Sequence, residues 1–124
     1  MDVTPLVRPG QQIIQSYAGG GFRIGGKFYQ GSAIVWPEQT ETWVCKPFPE
    51  LSVADFSPLY SHDPLPDVVL LGTGASQIFL PPDLRQALRG KGLVIEVMDT
   101  GAACRTYNVL MAEGRRVAAA LLAI

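Results

Sequence analysis

The last third of the sequence is its most constraining feature, because two apolar runs enclose a stretch with helical periodicity. The first run is LVIEV at 93–97, and the second is VAAALLAI at 117–124. Apolar side chains between them recur at the i, i+4, i+7 and i+8 spacing of one helical face: Ala103, Tyr107, Leu110 and Met111. Asp99 or Thr100 is placed to cap the start of this helix, which ends near Gly114. The pattern predicts a buried strand, a helix and a second buried strand in succession.

The segment before this stretch has the same order of elements. The uninterrupted apolar run VVLL at 68–71 is typical of a strand that is covered on both faces. A helix is predicted at 82–89, where Pro82 suits the first turn and Gly90 suits the C-terminal cap. Its buried face is predicted from three apolar residues, Leu84, Ala87 and Leu88. Strands that alternate with helices favour βαβ units, which predict an α/β fold with a largely parallel central sheet.

The N-terminal half is predicted to be rich in short strands. An irregular lead-in at 1–10 comes first, and strands are then expected at 11–17, 32–36 and 41–45. The stretch 22–29 carries a hairpin signal, because Gly25 and Gly26 tolerate the positive φ values of a type I′ turn. The proline-rich stretch 46–67 is a connector and not a domain boundary, since neither flank is long enough to be a domain alone.

Composition excludes several functional classes. The 124 residues suffice for one core, so we expect a single domain spanning 1–124. The net charge is −1, and only Arg115 and Arg116 are adjacent among the ten basic residues, which excludes a nucleic-acid backbone site. The first residues lack a signal-peptide pattern and the longest apolar run is too short for a membrane span. We therefore expect a cytoplasmic protein that is not integral to a membrane, with Cys45 and Cys104 reduced.

The sequence contains partial matches to two motifs, one for cofactor binding and one for catalysis, but each lacks residues that the motif requires. Residues 72–74 (GTG) resemble the opening of a dinucleotide loop, yet Gln77 stands where GxGxxG needs glycine, and Pro81 delays the helix. Ser76 resembles a hydrolase nucleophile, but the trailing glycine is missing and the single histidine, His62, precedes it. One histidine and two distant cysteines offer no metal-ligand cluster. No catalytic residue, cofactor or metal is predicted.

One site hypothesis remains at the edge of the predicted sheet. If the strands at 68–71 and 93–97 are parallel neighbours, their C-terminal ends share the edge where α/β proteins favour ligand sites. The candidate binding residues there are Gly72, Thr73, Gly74, Asp99, Thr100, Cys104, Arg105 and Asn108. Arg105 is suited to an anion or a partner carboxylate. The alternative is that Arg105 pairs with Asp99 or another local acid and that Asn108 caps a loop.

Cys104 has two interpretations. It lies in the first turn of the predicted helix beside Arg105, and both features lower the pKa of a thiol. The small neighbours Ala102 and Ala103 instead favour close packing against the sheet, with a buried and inert thiol. The second interpretation is favoured.

Four blocks of the sequence together resemble a known protein family. They are GGFRI at 20–24, YQGS at 29–32, LGTG at 71–74 and TGAACRTYN at 100–108. In this order they resemble a family of small, largely uncharacterised bacterial and archaeal proteins. The same family includes the mitochondrial respiratory complex I (NADH dehydrogenase) assembly factor and the adipogenesis-associated domain proteins of animals. The resemblance covers roughly residues 11–124.

The resemblance implies a fold and, more loosely, a function. It implies three layers, in which a central mixed sheet packs against helices and the N-terminal half adds a β-hairpin layer. The family offers no catalytic residues, and its mitochondrial member acts through protein contacts. We therefore expect a non-enzymatic protein-interaction or assembly-factor-like domain of the bacterial cytoplasm, serving a membrane-associated complex, with self-association left open. The alternative is a small-ligand or anion-binding protein, or an unrecognised enzyme, using 72–74 and 99–108.

Overall fold

The computed structural model describes residues 9–124, which form two sheets and three α-helices. The strands are β1 (Ile14–Ala18), β2 (Gly21–Ile24), β3 (Lys27–Gln30), β4 (Ala33–Val35), β5 (Thr40–Thr42), β6 (Val68–Gly72), β7 (Ile95–Met98) and β8 (Val117–Leu121). The helices are α1 (Ser57–Tyr60), α2 (Pro82–Gly90) and α3 (Thr100–Ala112). Most of the lead-in predicted at 1–10 lies outside the described residues. None of the helices in 9–124 has the length and hydropathy that a membrane span requires.

The central sheet is mixed, as predicted. Its strand order is β5-β4-β8-β6-β7, in which β8, β6 and β7 run parallel while β4 and β5 are antiparallel additions. Strand β6 lies between β8 and β7 in the interior of the sheet. Its side chains enter both cores, Val69 and Leu71 on one face and Leu70 on the other, which explains its continuous apolar run. The parallel pairing of β6 with β7 confirms the βαβ prediction and brings their C-terminal ends to one edge.

The N-terminal half supplies the second sheet, in the order β1-β2-β3. Gly25 and Gly26 join β2 to β3 with φ values of +58° and +83°, which confirms the predicted hairpin. This small sheet and α3 cover the same face of the central sheet, where Phe22 and Ile24 share a core with Tyr107 of α3. The extra β layer is therefore confirmed.

The opposite face is covered by α2 and the connector. Leu84 and Leu88 of α2 are buried with Phe56 and Leu59 of the connector in the second core. The prediction that Ala87 is buried was wrong, because Leu84 and Leu88 already fill the face of α2 that meets the core and Ala87 is exposed. Gly90 is also not the C-terminal cap, because it is the last residue of α2 itself. The residue with the left-handed conformation after the helix is Gly92, whose φ is +89°.

The short strands of the N-terminal half are shorter than predicted. Strand β1 begins at Ile14, because the N–H of Gln12 donates instead to the carbonyl oxygen of Pro37 at 2.9 Å. Strand β4 ends before Trp36, whose N–H donates to the carbonyl oxygen of Gln39 at 2.8 Å in the turn to β5. Hydrogen bonds to residues outside the strand pairs therefore end these strands earlier than the sequence pattern predicts.

Candidate functional site

The C-terminal ends of β6 and β7 meet the start of α3 at one edge of the central sheet, as parallel pairing predicts. Thr100 holds this edge together. Its N–H donates to the carbonyl oxygen of Gly74 at 2.9 Å, and its Oγ1 accepts from the N–H of Gly74 at 2.8 Å. Thr100 Oγ1 also donates to the carbonyl oxygen of Leu122 at 2.8 Å. The predicted neighbours 72–74 and 99–101 are thus brought together, but through structural hydrogen bonds.

Gly72 is required by packing. A Cβ at this position would lie 2.9 Å from both Cα and Oγ1 of Thr100, which is closer than side chains tolerate. Gly74 has a φ of +100°, a value that glycine adopts without strain, so it forms a turn after β6. Both glycines therefore have a structural explanation in the approach of β6 to α3.

Thr73 closes the loop that follows β6, residues 73–79. Its Oγ1 donates to the carbonyl oxygen of Ser76 at 2.6 Å and accepts from the N–H of Ile78 at 3.1 Å. The loop presents Ile78 and Phe79 to solvent with 44% and 80% of their surfaces exposed. Sequence reasoning missed these two residues. The available signal was the apolar run of three residues, 78–80, between turn residues and Pro81.

An open groove of about 410 Å³, the sheet-edge groove, lies beside this loop. It is lined by Ser32, Cys45, Lys46, Pro47, Phe48, Thr73, Gly74, Leu122 and Ala123. Thr73 and Gly74 are the predicted site residues that line it. Val44, which precedes the lining residue Cys45, is 92% exposed. The loop that bears Ile78 and Phe79 begins at two residues that line the groove, Thr73 and Gly74.

Two predicted site residues of α3 have structural roles. Asp99 caps the helix, because its Oδ1 accepts from the N–H of Ala102 at 2.8 Å. Asn108 is 1% exposed, and its amide bonds both backbone groups of Ile14 in β1: Oδ1 accepts from the N–H and Nδ2 donates to the carbonyl oxygen, each at 2.9 Å. Asn108 therefore neither faces the sheet-edge groove nor caps a loop, which corrects both expectations for it.

Arg105 faces solvent. Its Nη1 lies 3.4 Å from the hydroxyl oxygen of Tyr17, to which it donates. Among residues 9–124 the structure contains one ion pair, between Arg116 and Asp67 at 3.3 Å, so the alternative pairing of Arg105 with Asp99 or another local acid is not formed. The guanidinium keeps donors for a ligand or a partner.

Cys104 is 3% exposed, and burial dominates its chemistry. Burial raises the pKa of its thiol to about 12, although the nearby Arg105 lowers it and Asp99 adds to the rise. The half-buried Cys45 has a pKa raised to about 11 by burial and by Asp55. Both thiols are protonated at neutral pH, which supports the inert interpretation of Cys104.

Alkylation checks this interpretation. At about pH 8 we expect iodoacetamide to modify Cys45 slowly and Cys104 more slowly still, because thiolate is the reacting form and Cys104 is the more buried. Mass spectrometry of digested samples measures each site. Protein unfolded in urea is the control, in which both sites should react at the rate of free cysteine. Modification of native Cys104 at that free rate would contradict the structure.

Comparison with known proteins identifies the family. The family model described as "Protein of unknown function (DUF498/DUF598)" matches residues 14–122. The mouse protein named NADH dehydrogenase [ubiquinone] 1 alpha subcomplex assembly factor 3 is 34% identical over 114 residues, which cover 92% of this chain and 62% of the mouse protein. An uncharacterised protein of Rhodobacter capsulatus is 37% identical over 109 residues, covering 88% of this chain and 82% of that protein.

Solved structures of related proteins have the same fold. A crystal structure described as an outer membrane protein of Bartonella henselae has a TM-score of 0.81 and 38% identity, and covers 93% of this chain and 97% of that one. The chain spans less than two thirds of the mouse assembly factor, at 62% of its length. The resemblance seen in the sequence is confirmed by these matches. The chain belongs to the DUF498/DUF598 family of proteins of unknown function, which includes relatives named as complex I assembly factors.

Proposed function

We propose that this chain acts as a single, non-enzymatic protein-interaction domain of the assembly-factor type, in the cytoplasm of a bacterial cell, serving a membrane-associated complex. Its relatives support this proposal, because the mouse protein named as an assembly factor aligns over 92% of the chain. The bacterial setting is supported by the relative from Rhodobacter capsulatus. The proposed contact surface is the 73–79 loop with the sheet-edge groove.

The exposure of Phe79 carries the proposal. An aromatic ring that is 80% exposed loses the gain of burial unless a partner covers it. The loop that bears it is held by the two hydrogen bonds of Thr73, and the next residue, Leu80, is buried in the core. A fixed loop loses little conformational entropy when it binds, and aromatic side chains dominate the energy of protein interfaces. Phe79 is therefore a preorganised anchor.

The sheet-edge groove, whose lining includes Thr73 and Gly74 at the start of the same loop, gives a partner side chain a second place to bind. Leu122, Ala123 and Phe48 supply apolar wall, and Lys46 is the charged residue among the described lining residues. Interfaces combine an apolar centre with a polar rim, and the groove with its loop has that arrangement.

Crosslinked capture from the native host tests the proposal with three forms of the tagged protein: wild type, Phe79→Ser and Val109→Ser. Val109 is the control because it is 52% exposed on α3, away from the 73–79 loop in the chain. We expect Phe79→Ser to lose the captured partner by about tenfold or more, as for an interface hot spot, while Val109→Ser retains it. Both variants should keep the stability of the wild type to within about 0.5 kcal/mol, because they change surface residues.

Two results would count against the proposal. Equal capture by Phe79→Ser and wild type would remove the 73–79 loop from the interface. If the captured set held no subunit of the respiratory NADH dehydrogenase and deleting the gene left that complex intact, the assembly role would be rejected. The two results are separate, because the first concerns the surface and the second the partner.

A second candidate is a small-ligand or anion site, or an unrecognised enzyme, at the same edge. Thr73 and Gly74 line the groove, and the solvent-facing guanidinium of Arg105 lies further along α3, which favour this candidate. A reproducible thermal shift with one metabolite would support it, since a ligand at a hundred times its Kd adds about 2.7 kcal/mol of stability. Loss of that shift in Arg105→Glu would place the ligand near α3, and an unchanged shift would exclude Arg105 from the site.

A further inference from the structure

The central sheet has two outer strands, β7 at one edge and β5 at the other. An edge strand directs some of its backbone N–H and C=O groups away from the sheet, where another strand can bond them. On β7 one of these outward groups is occupied, because Arg85 Nη1 donates to the carbonyl oxygen of Ile95 at 2.9 Å. No side chain bonds the backbone of β5 in this way within residues 9–124. The β5 edge is therefore free to pair with a further strand.

The pairing of β5 with β4 shows which residues of β5 face outward. The N–H of Trp43 donates to the carbonyl oxygen of Ser32 at 2.8 Å, so this cross-strand pair is hydrogen-bonded. Bonded and non-bonded pairs alternate along an antiparallel ladder, so Glu41 also bonds β4, whereas Thr40 and Thr42 do not. The two threonines therefore present two backbone N–H groups and two carbonyl oxygens at the outer edge.

A groove of about 310 Å³, called here the β5 groove, lies at this edge. Its lining includes Glu41 and Thr42 of β5 and Asp55 and Pro58 of the connector. Val44, which is 92% exposed, also lines it. A water molecule occupies about 30 Å³ of liquid, so the groove has room for a long side chain. A strand added to β5 would thus have a place for a side chain on the connector side of the sheet.

The charges of the β5 groove favour a cation. Two carboxylates line it, those of Glu41 and Asp55, and Lys46 supplies the one opposite charge among the lining residues. Asp55 Oδ2 already accepts from the N–H and the hydroxyl group of Ser52, at 2.9 and 3.2 Å. Glu41 is exposed and forms no ion pair within the described part of the chain. The uncompensated negative charge therefore lies on the edge strand itself.

This charge disfavours a second copy of the chain as the added strand. When two copies of β5 pair in antiparallel fashion about an axis at their centres, each Thr40 lies opposite a Thr42. Glu41 then lies opposite Glu41 of the other copy, and like charges directly opposite each other on two strands are destabilising. A basic side chain at the same position would be attracted instead.

We propose that the outer edge of β5 binds an extended segment of a partner protein as an added antiparallel strand, with a lysine or arginine side chain opposite Glu41. Thr40 and Thr42 each exchange two backbone hydrogen bonds with the residues that flank the basic one. Backbone bonds of this kind supply affinity, and the side-chain pairs supply selectivity. The antiparallel arrangement is the more stable per residue. This strand site is separate from the 73–79 loop, although Lys46 lines both the β5 groove and the sheet-edge groove.

Backbone amide signals of the full chain, measured by ¹H–¹⁵N NMR, test the proposal with the capped peptide Thr-Val-Lys-Val-Thr as the probe. We expect the signals of Thr40 and Thr42 to move downfield and to saturate at millimolar peptide, because each N–H gains an acceptor. The capped peptide Thr-Val-Glu-Val-Thr is the matched probe, and we expect it to bind about fivefold more weakly because its central charge repels Glu41. In Glu41→Lys the order of the two peptides should reverse.

Methylated peptides test the backbone bonds separately from the charge. N-methylation of both valines removes the N–H groups that face β5, so we expect a loss of affinity of about tenfold or more. N-methylation of the lysine is the control, because that N–H faces away from β5 and binding should persist. On the protein side, Thr42→Pro removes an outward N–H that β4 does not use, which edge strands tolerate. We expect Thr42→Pro to lose the peptide and Thr42→Val to keep it.

Four results would overturn the proposal. They are unmoved signals of Thr40 and Thr42 with the lysine peptide, equal affinity for the lysine and glutamate peptides, an unchanged preference in Glu41→Lys, and full affinity for the peptide methylated at its valines. The peptide controls keep the test decisive if Thr42→Pro does not fold, because they use the unaltered protein.

Discussion

Replacing Asn108 by leucine is expected to destabilise the fold by about 3 kcal/mol, because each unpaired buried polar group costs roughly 1–3 kcal/mol. Leucine has a similar size but cannot bond the backbone N–H and carbonyl oxygen of Ile14, which Asn108 now satisfies at 2.9 Å each. The site is 1% exposed, so water does not reach the two groups in place of the amide. The lost hydrogen bonds are those that hold β1 against α3.

Urea unfolding of Asn108→Leu measures this loss. Val109→Ala is the control, because it changes the exposed face of the same helix and should shift the free energy of unfolding by only about 0.5 kcal/mol. Hydrogen exchange at the amide of Ile14 gives a second readout, since a donor without its acceptor exchanges faster. A leucine variant as stable as the wild type would show that β1 does not depend on the amide.

Replacing Gly72 by alanine is expected to cost about 1–3 kcal/mol, the usual range for an added methyl group in a packed core. The new Cβ would lie 2.9 Å from the Cα of Thr100, and a backbone atom cannot turn aside as the end of a side chain can. The start of α3 must therefore move away from β6. That movement would also lengthen the hydrogen bonds between Thr100 and Gly74.

The matched control for this variant is Gly90→Ala. Gly90 lies at the end of α2, and a Cβ there meets no atom within 4 Å. Alanine favours the helix, so we expect about 0.5–1 kcal/mol of added stability at that site. Thermal unfolding of both variants distinguishes the two effects by sign. A Gly72→Ala protein that is as stable as Gly90→Ala would refute the close approach of β6 to α3.

The elements with local sequence signals could be predicted, and those that depend on distant partners could not. The helix α3 follows from its periodicity and from the Asp99 cap, and the Gly25–Gly26 hairpin follows from turn chemistry, because both signals lie within a few residues. The role of Asn108 was missed because its partner, Ile14, lies 94 residues away in the chain. No periodicity reports such a contact.

The candidate site could also be predicted only in part from the sequence. Polar residues at the end of β6 and the start of α3 were correctly expected to meet, because parallel strands bring their ends to one edge. Composition could not tell that the hydroxyl groups of Thr73 and Thr100 would bond the backbone of neighbouring loops. Nor could it give the exposure of Phe79, since burial depends on what the rest of the chain leaves uncovered. The binding role of the remaining edge residues stays a prediction.

The position of β8 has a consequence for how the chain folds during synthesis. This strand comes after the other seven strands of residues 9–124 in sequence, yet it lies between β4 and β6 and is hydrogen-bonded to both. The five-stranded sheet therefore cannot close until residues 117–121 have left the ribosome. Until then the pairing edges of β4 and β6 lack their shared neighbour, and such unpaired edges are sites of aggregation. The nascent chain is thus exposed to misassociation until residues 117–121 emerge and β8 pairs with both strands.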